Sequence, residues 1–77
     1  MNVEKCVNEV MLKLLYGKKD AMIDIKINSL VKDILKYAAE KRGLTISDVI
    51  RLILSDSEIF KEYVKEVCEE LSDVIEL

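Results

Sequence analysis

The 77-residue chain has no histidine, proline, tryptophan or glutamine, and only two glycines and two cysteines. Each shortage excludes something. With no imidazole and no CxxC pair, Cys6 and Cys68 cannot recruit a zinc ligand set, so no metal is expected. Acid–base and nucleophilic catalysis lack their usual players, because no nucleophile stands beside a base. Two glycines make no phosphate-cradling loop. The sequence therefore reads as a non-enzyme, with no catalytic residues and no cofactor. Long apolar runs are also missing: none approaches the ~20 residues needed to cross a bilayer. The N-terminal stretch is too poor in Lys and Arg to lie on a membrane surface. Nothing resembles a secretory signal, and the expected location is the cytoplasm.

The two cysteines leave two readings open. Free Cys is among the most buried residue types, which favours two buried thiols in a reducing compartment. The alternative is a disulfide joining the two ends of the chain. Absence of Pro, His, Gln and Trp beside many Lys, Glu and Ile loosely resembles the composition of thermophile proteins.

What the chain has in excess is apolar residues, at 51%. A single domain this small hides only part of its surface on folding, so this is more than a monomer can comfortably bury. With a metal excluded, a partner chain is the remedy the sequence favours. Net charge is -3, but residues 1–55 carry ten Lys/Arg against seven Asp/Glu, or +3. Residues 56–77 carry two against eight, or -6. The acidic character is confined to the C-terminal segment.

Residues 1–77 read as one domain of three parts: an N-terminal helix over 1–17, a core over 21–54 and an acidic amphipathic helix over 57–77. In the first part, Val3, Val7, Val10, Met11, Leu14 and Leu15 fall on one helix face, and Gly17 stands where the helix should stop. A rival reading folds LKLLY back on MIDIKI as a hairpin around GKKD, making 12–16 strand. Residues 21–28, AMIDIKIN, alternate strictly, with Ile23, Ile25 and Ile27 on one side and Met22, Asp24, Lys26 and Asn28 on the other. Period two is the pattern of a half-buried strand. Asn28 or Ser29 then caps a helix with a buried stripe of Leu30, Val31, Ile34, Leu35, Ala38 and Tyr37, closed by Gly43. Thr45 and Asp48 form a capping-box-like pair opening a helix with Ile46, Val49, Ile50, Ile53 and Leu54 inward. Ser57 caps the last helix, whose seam is Phe60, Val64, Val67, Leu71 and Val74, widened by Ile59, Tyr63, Cys68 and Ile75.

One strand has no ladder partner in its own chain, and the simplest donor is the same strand of a second copy. Two-fold symmetry makes that pair antiparallel. The order of MIDIKIN, SLVKDILKYAAEKRG and LTISDVIRLIL, over Met22 to Leu54, resembles the ribbon-helix-helix repressors, the group containing Arc, MetJ and CopG. The resemblance implies a mostly α, ribbon-helix-helix dimer with extra N- and C-terminal helices. Ile23, Ile25 and Ile27 would form its dimer core. It further implies a DNA-binding transcriptional regulator or antitoxin-type repressor that lays the ribbon in the major groove of double-stranded DNA. Met22, Asp24 and Lys26 would face the bases. Gly43, Leu44, Thr45, Ile46 and Ser47 would form the turn and phosphate clamp, since a helix start suits a phosphate. Lys18 and Lys19 would add backbone attraction.

Asp24 departs from this picture, because a carboxylate in the reading face meets phosphate-rich DNA with the wrong sign. A ribbon centred on residue 25 sets Asp24 against Lys26 of the mate, whereas one centred on residue 24 opposes two carboxylates. Asp24 and the acidic last helix favour a second function class: the same dimer used for protein association or scaffolding, without DNA. The expected assembly is a homodimer, or a tetramer of two dimers, and a protein partner would use the C-terminal helix.

Overall fold

Each amphipathic stretch becomes a helix whose start is answered by a nearby side chain. The computed structural model describes residues 2–75, with side chains through residue 71. Helix α1 runs Val3–Tyr16, and the Lys5 N–H donates to Asn2 Oδ1 at 2.7 Å. Its stop, Gly17, has an ordinary φ of -74°. What this position requires is close approach: an added Cβ would lie 2.6 Å from the Lys13 carbonyl oxygen. Helix α2 runs Ser29–Arg42, with the Leu30 N–H donating to Asn28 Oδ1 at 2.8 Å. Gly43 ends α2 at φ 66°, the left-handed region where a side chain is strained. There Gly43 N–H donates to Glu40 O and Leu44 N–H to Ala39 O, which satisfies carbonyls that the helix end would leave free.

Helix α3 runs Ile46–Ser55 and opens with a reciprocal capping box. The Asp48 N–H donates to Thr45 Oγ1 and the Thr45 N–H donates to Asp48 Oδ2, both at 3.1 Å. Helix α4 runs Glu58–Ile75, and the Phe60 N–H donates to Ser57 Oγ at 3.1 Å. The expected continuation to Leu77, and the side chains of Val74 and Ile75, lie outside the described residues.

The helices pair as α1 with α4 and α2 with α3, and α1 also packs on α3. Val64 and Cys68 of α4 are buried in the first pair, and Ala39 of α2 and Val49 of α3 in the second. Cys6 and Cys68 are joined by a disulfide with their Cα atoms 5.9 Å apart, which corrects the preference for two free thiols. A disulfide joining the two ends was the alternative left open, and no local pattern could favour it because the closure spans 62 residues. The pairing also removes the argument from cysteine usage for a reducing compartment.

The ribbon-helix-helix fold expected from the sequence is overturned. Four helices are present and no strand is formed among the described residues; 21–28, AMIDIKIN, carries no regular structure and is exposed throughout. Alternation states which side chains share a side, but a strand needs a backbone ladder, and this chain supplies no partner for one. The hairpin is overturned too, since residues 12–16 belong to α1. The stripe expected on α2 is only half covered: Leu35 and Ala38 are half-buried and Ala39 is buried, whereas Leu30, Val31, Ile34 and Tyr37 are exposed. The reason is geometric, as α3 is short and lies against the C-terminal half of α2.

The chain exposes 6666 Å². A folded monomer of 8.9 kDa ordinarily exposes about 4,800 Å², so the excess is roughly 1,900 Å². Its radius of gyration, 15.0 Å, likewise exceeds the ~11.5 Å usual for this length.

Candidate functional site

Exposed apolar side chains occur on every helix, including Leu12 and Tyr16 of α1 and Ile59, Tyr63 and Val67 of α4, and the segment before α2 is the barest stretch. Met22, Ile23 and Ile25 are 92%, 86% and 68% exposed, and Leu30 and Ile34 of α2 are 65% and 59% exposed. Ile53 of α3 continues the same exposed apolar character. Between α2 and α3 lies an apolar cleft of about 570 Å³, lined by Ile27, Val31, Leu35, Ile46, Ile50 and Ile53 among others. Ile25 reaches this cleft as well. An aliphatic surface of this extent is more than a small monomeric chain ordinarily leaves in water.

Lys18, Lys19, Asp24 and Lys26 occupy the exposed segment that leads into that face. A second cleft, of about 610 Å³, opens where α1 meets α3 beneath residues 18–25. Its apolar lining includes Leu14, Ile23, Ile25, Ile50 and Leu54. Lys13, Lys18, Lys19 and Arg51 also line it, with Asp20 as the opposing charge. The structure thus brings Lys18, Lys19, Met22 and Ser47 to one cleft. Asp24 and Lys26 do not line it.

The expected phosphate clamp at the start of α3 is already occupied. Asp48 Oδ2 accepts the Thr45 N–H, and Asp48 Oδ1 accepts Arg51 Nη1 at 3.0 Å. The Thr45 backbone N–H holds the Asp48 carboxyl below the usual aspartate range; the Thr45 side chain adds to the effect, as do Arg51 and Lys19, against a slight opposing effect of burial. A carboxylate is therefore held over the positive end of the helix, where it competes with any phosphate. Thr45 and Ser47 remain exposed and Ile46 is half-buried against α2.

Two residues of this region went unnoticed in the sequence. Lys13 lies outside the apolar stripe of α1 and Arg51 outside that of α3, and no local pattern links positions 38 residues apart. Only the packing of α1 on α3 brings them to one rim. Among the described residues there is no group of three or more His, Cys, Asp or Glu that could hold a metal ion, and no helix is long and apolar enough to cross a membrane. No family model, curated protein or solved structure matches the chain.

Proposed function

We propose that this chain acts as a homodimer that binds double-stranded DNA as a transcription regulator. The observation that carries the reading is the exposed segment 18–28, which sets Lys18, Lys19 and Lys26 among isoleucines that a monomer leaves in water. The apolar face of Ile25, Ile27, Leu30 and Ile34 supports association, because its exposure costs free energy that burial against a second copy recovers. The excess surface, roughly 1,900 Å², lies within the amount each partner of an obligate dimer buries. The lysines beside that face support a polyanion as ligand, and two-fold symmetry would present them twice. The +3 balance of residues 1–55 agrees in sign.

Fluorescence anisotropy against mixed genomic fragments at low salt tests this directly. Binding is expected to weaken steeply with added salt, and Lys18→Ala with Lys19→Ala should cost about tenfold or more in affinity. Lys26→Ala should cost less. Failure to bind, or binding indifferent to these changes, rejects the reading.

Protein association without DNA is the second reading, and a specific observation favours it: the Asp48 carboxylate already sits over the α3 start. Asp24 in the exposed segment and the glutamates of α4 point the same way. Under this reading the dimer persists in light scattering while DNA titrations stay flat.

A further inference from the structure

The apolar face accounts for the cleft between α2 and α3; the one between α1 and α3 shares Ile25 and Ile50 with it but adds four cationic side chains that the apolar face does not explain. That second cleft combines two features that DNA does not use together. Its floor is aliphatic, with Leu14, Ile50 and Leu54 contributed by two helices. Its rim carries Lys13, Lys18, Lys19 and Arg51 against a single rim carboxylate, Asp20. Arg51 shares one guanidinium nitrogen with Asp48 and retains its other donors. At about 610 Å³ the cleft falls in the size range of small-molecule sites, which pair an apolar lining with a few polar groups that fix orientation.

The geometry points to a binding site, between α1 and α3, for a small amphipathic anion: a carboxylate carrying an apolar tail. The tail lies on Leu14, Ile50 and Leu54, and the carboxylate meets the lysine ammonium groups and Arg51 through charge-assisted hydrogen bonds. A bare phosphate or a DNA backbone leaves the aliphatic floor in water, and a neutral apolar molecule leaves Lys13, Lys18 and Lys19 with Asp20 as the one carboxylate of the lining. Both halves of the ligand are needed to complement both halves of the site. Gly17 shapes the rim, because a side chain there would strike the Lys13 carbonyl and move the chain that carries Lys18 and Lys19.

The site also touches the proposed function, and this part rests on that reading. Lys18 and Lys19 cannot answer a bound carboxylate and a phosphate backbone with full charge at once. Occupancy therefore lowers DNA affinity, and the cleft acts as an effector site.

Decanoate is the probe, with decanol as its neutral counterpart, each titrated into the full chain and followed by amide chemical shifts. Saturable decanoate shifts confined to residues 13–25 and 47–54 are expected, with decanol at least tenfold weaker. Lys13→Glu should weaken decanoate at least tenfold and leave decanol unchanged, and Lys13→Gln should give a smaller loss in the same direction. The site is rejected if decanoate fails to saturate below its micelle concentration, if decanol binds as well, or if Lys13→Glu has no effect. Shifts centred on Leu30 and Ile34 reject it too, since they report detergent-like loosening of the dimer. In the anisotropy assay decanoate should lower DNA affinity at least fivefold, and no change overturns the effector role. Should the fragments not bind at all, the regulator reading fails alone, because the shift titration decides the site without DNA.

Discussion

Helices α1 and α2 are both 14 residues long, both begin at an asparagine cap and both carry an apolar stripe, yet they meet different surroundings. Along α1, Val3, Val7, Met11, Leu14 and Leu15 are at least half covered by α3 and α4, and Cys6 is bonded to buried Cys68. Along α2, cover ends at Leu35, and Leu30, Val31 and Ile34 stand in water. The segment before α2 is barer still. Similar local patterns thus produce one face closed within the chain and one left open. What separates them is their neighbours: α1 packs on both α3 and the 18-residue α4, whereas α2 packs on the ten-residue α3.

The closed side is tested by cutting its staple. A disulfide across 62 residues restricts the unfolded chain, and on the chain-entropy estimate it contributes about 4 kcal/mol. Cys6→Ala, or reduction by dithiothreitol, should lower the thermal midpoint by on the order of 20 °C for a domain of this size. Circular dichroism melts check it, and light scattering should show association unchanged, because the open side does not depend on the α1–α4 pair. An unaltered midpoint would mean that packing alone closes this side.

The open side is tested by making it polar. Ile25 and Ile34 are exposed in the single chain, so Ile25→Glu with Ile34→Glu leaves the monomer's own packing intact. Each loses the burial of one aliphatic side chain per copy, about 1.5 kcal/mol or more, so over two sites and two copies they should raise the dimer dissociation constant on the order of ten-thousandfold. Light scattering over a dilution series reads this. A monomeric parent chain would remove the comparison's second half.

The same contrast explains what could be read from the sequence. Helix starts and stops were legible because caps are local: Gly17, Asn28, Thr45 with Asp48, Ser57 and Gly43 act on backbone groups within a few residues, although the Asn2 cap of α1 was not singled out. The apolar stripe of α1 was legible for the same reason, apart from exposed Val10, whereas on α4 only Phe60, Val64 and Cys68 of the expected seam turn inward and Ile59, Tyr63, Val67 and Leu71 are exposed. Which part of a stripe is covered was not legible, since that depends on the length and placement of another helix. Ala39 was overlooked although it is buried, because a small side chain adds little to a hydrophobic pattern yet permits the close approach of α3. AMIDIKIN misled in the opposite way: its pattern is strong, but backbone pairing is a property of two segments. The rims of the α1–α3 cleft, Lys13 and Arg51, were hidden because each has an ordinary surface position in its own helix.

Asp48 offers the finest adjustment of the comparison, because it stands at the helix start that both the open face and the cationic cleft share. Its carboxyl is held below the usual aspartate range by the Thr45 N–H, so its folded-state pKa lies under the unfolded value of about 4. A depressed folded pKa contributes stability that is fully present above the unfolded value and is lost as pH falls through the folded one. Acidification from about pH 5 to pH 2 should therefore loosen the first turn of α3, detected as a shift of the Thr45 amide resonance and a lower protection factor at that amide after the intrinsic pH dependence of exchange is divided out. Asp48→Asn should flatten this dependence, and it should also release Arg51 and leave the α3 start without a carboxylate. In that variant, binding of anions beside α3 should rise modestly, by a few-fold at most, since the competing charge is solvent-exposed and screened. If acid leaves the Thr45 amide unmoved, the carboxylate does not hold the helix start, and the competition between Asp48 and an incoming anion disappears with it.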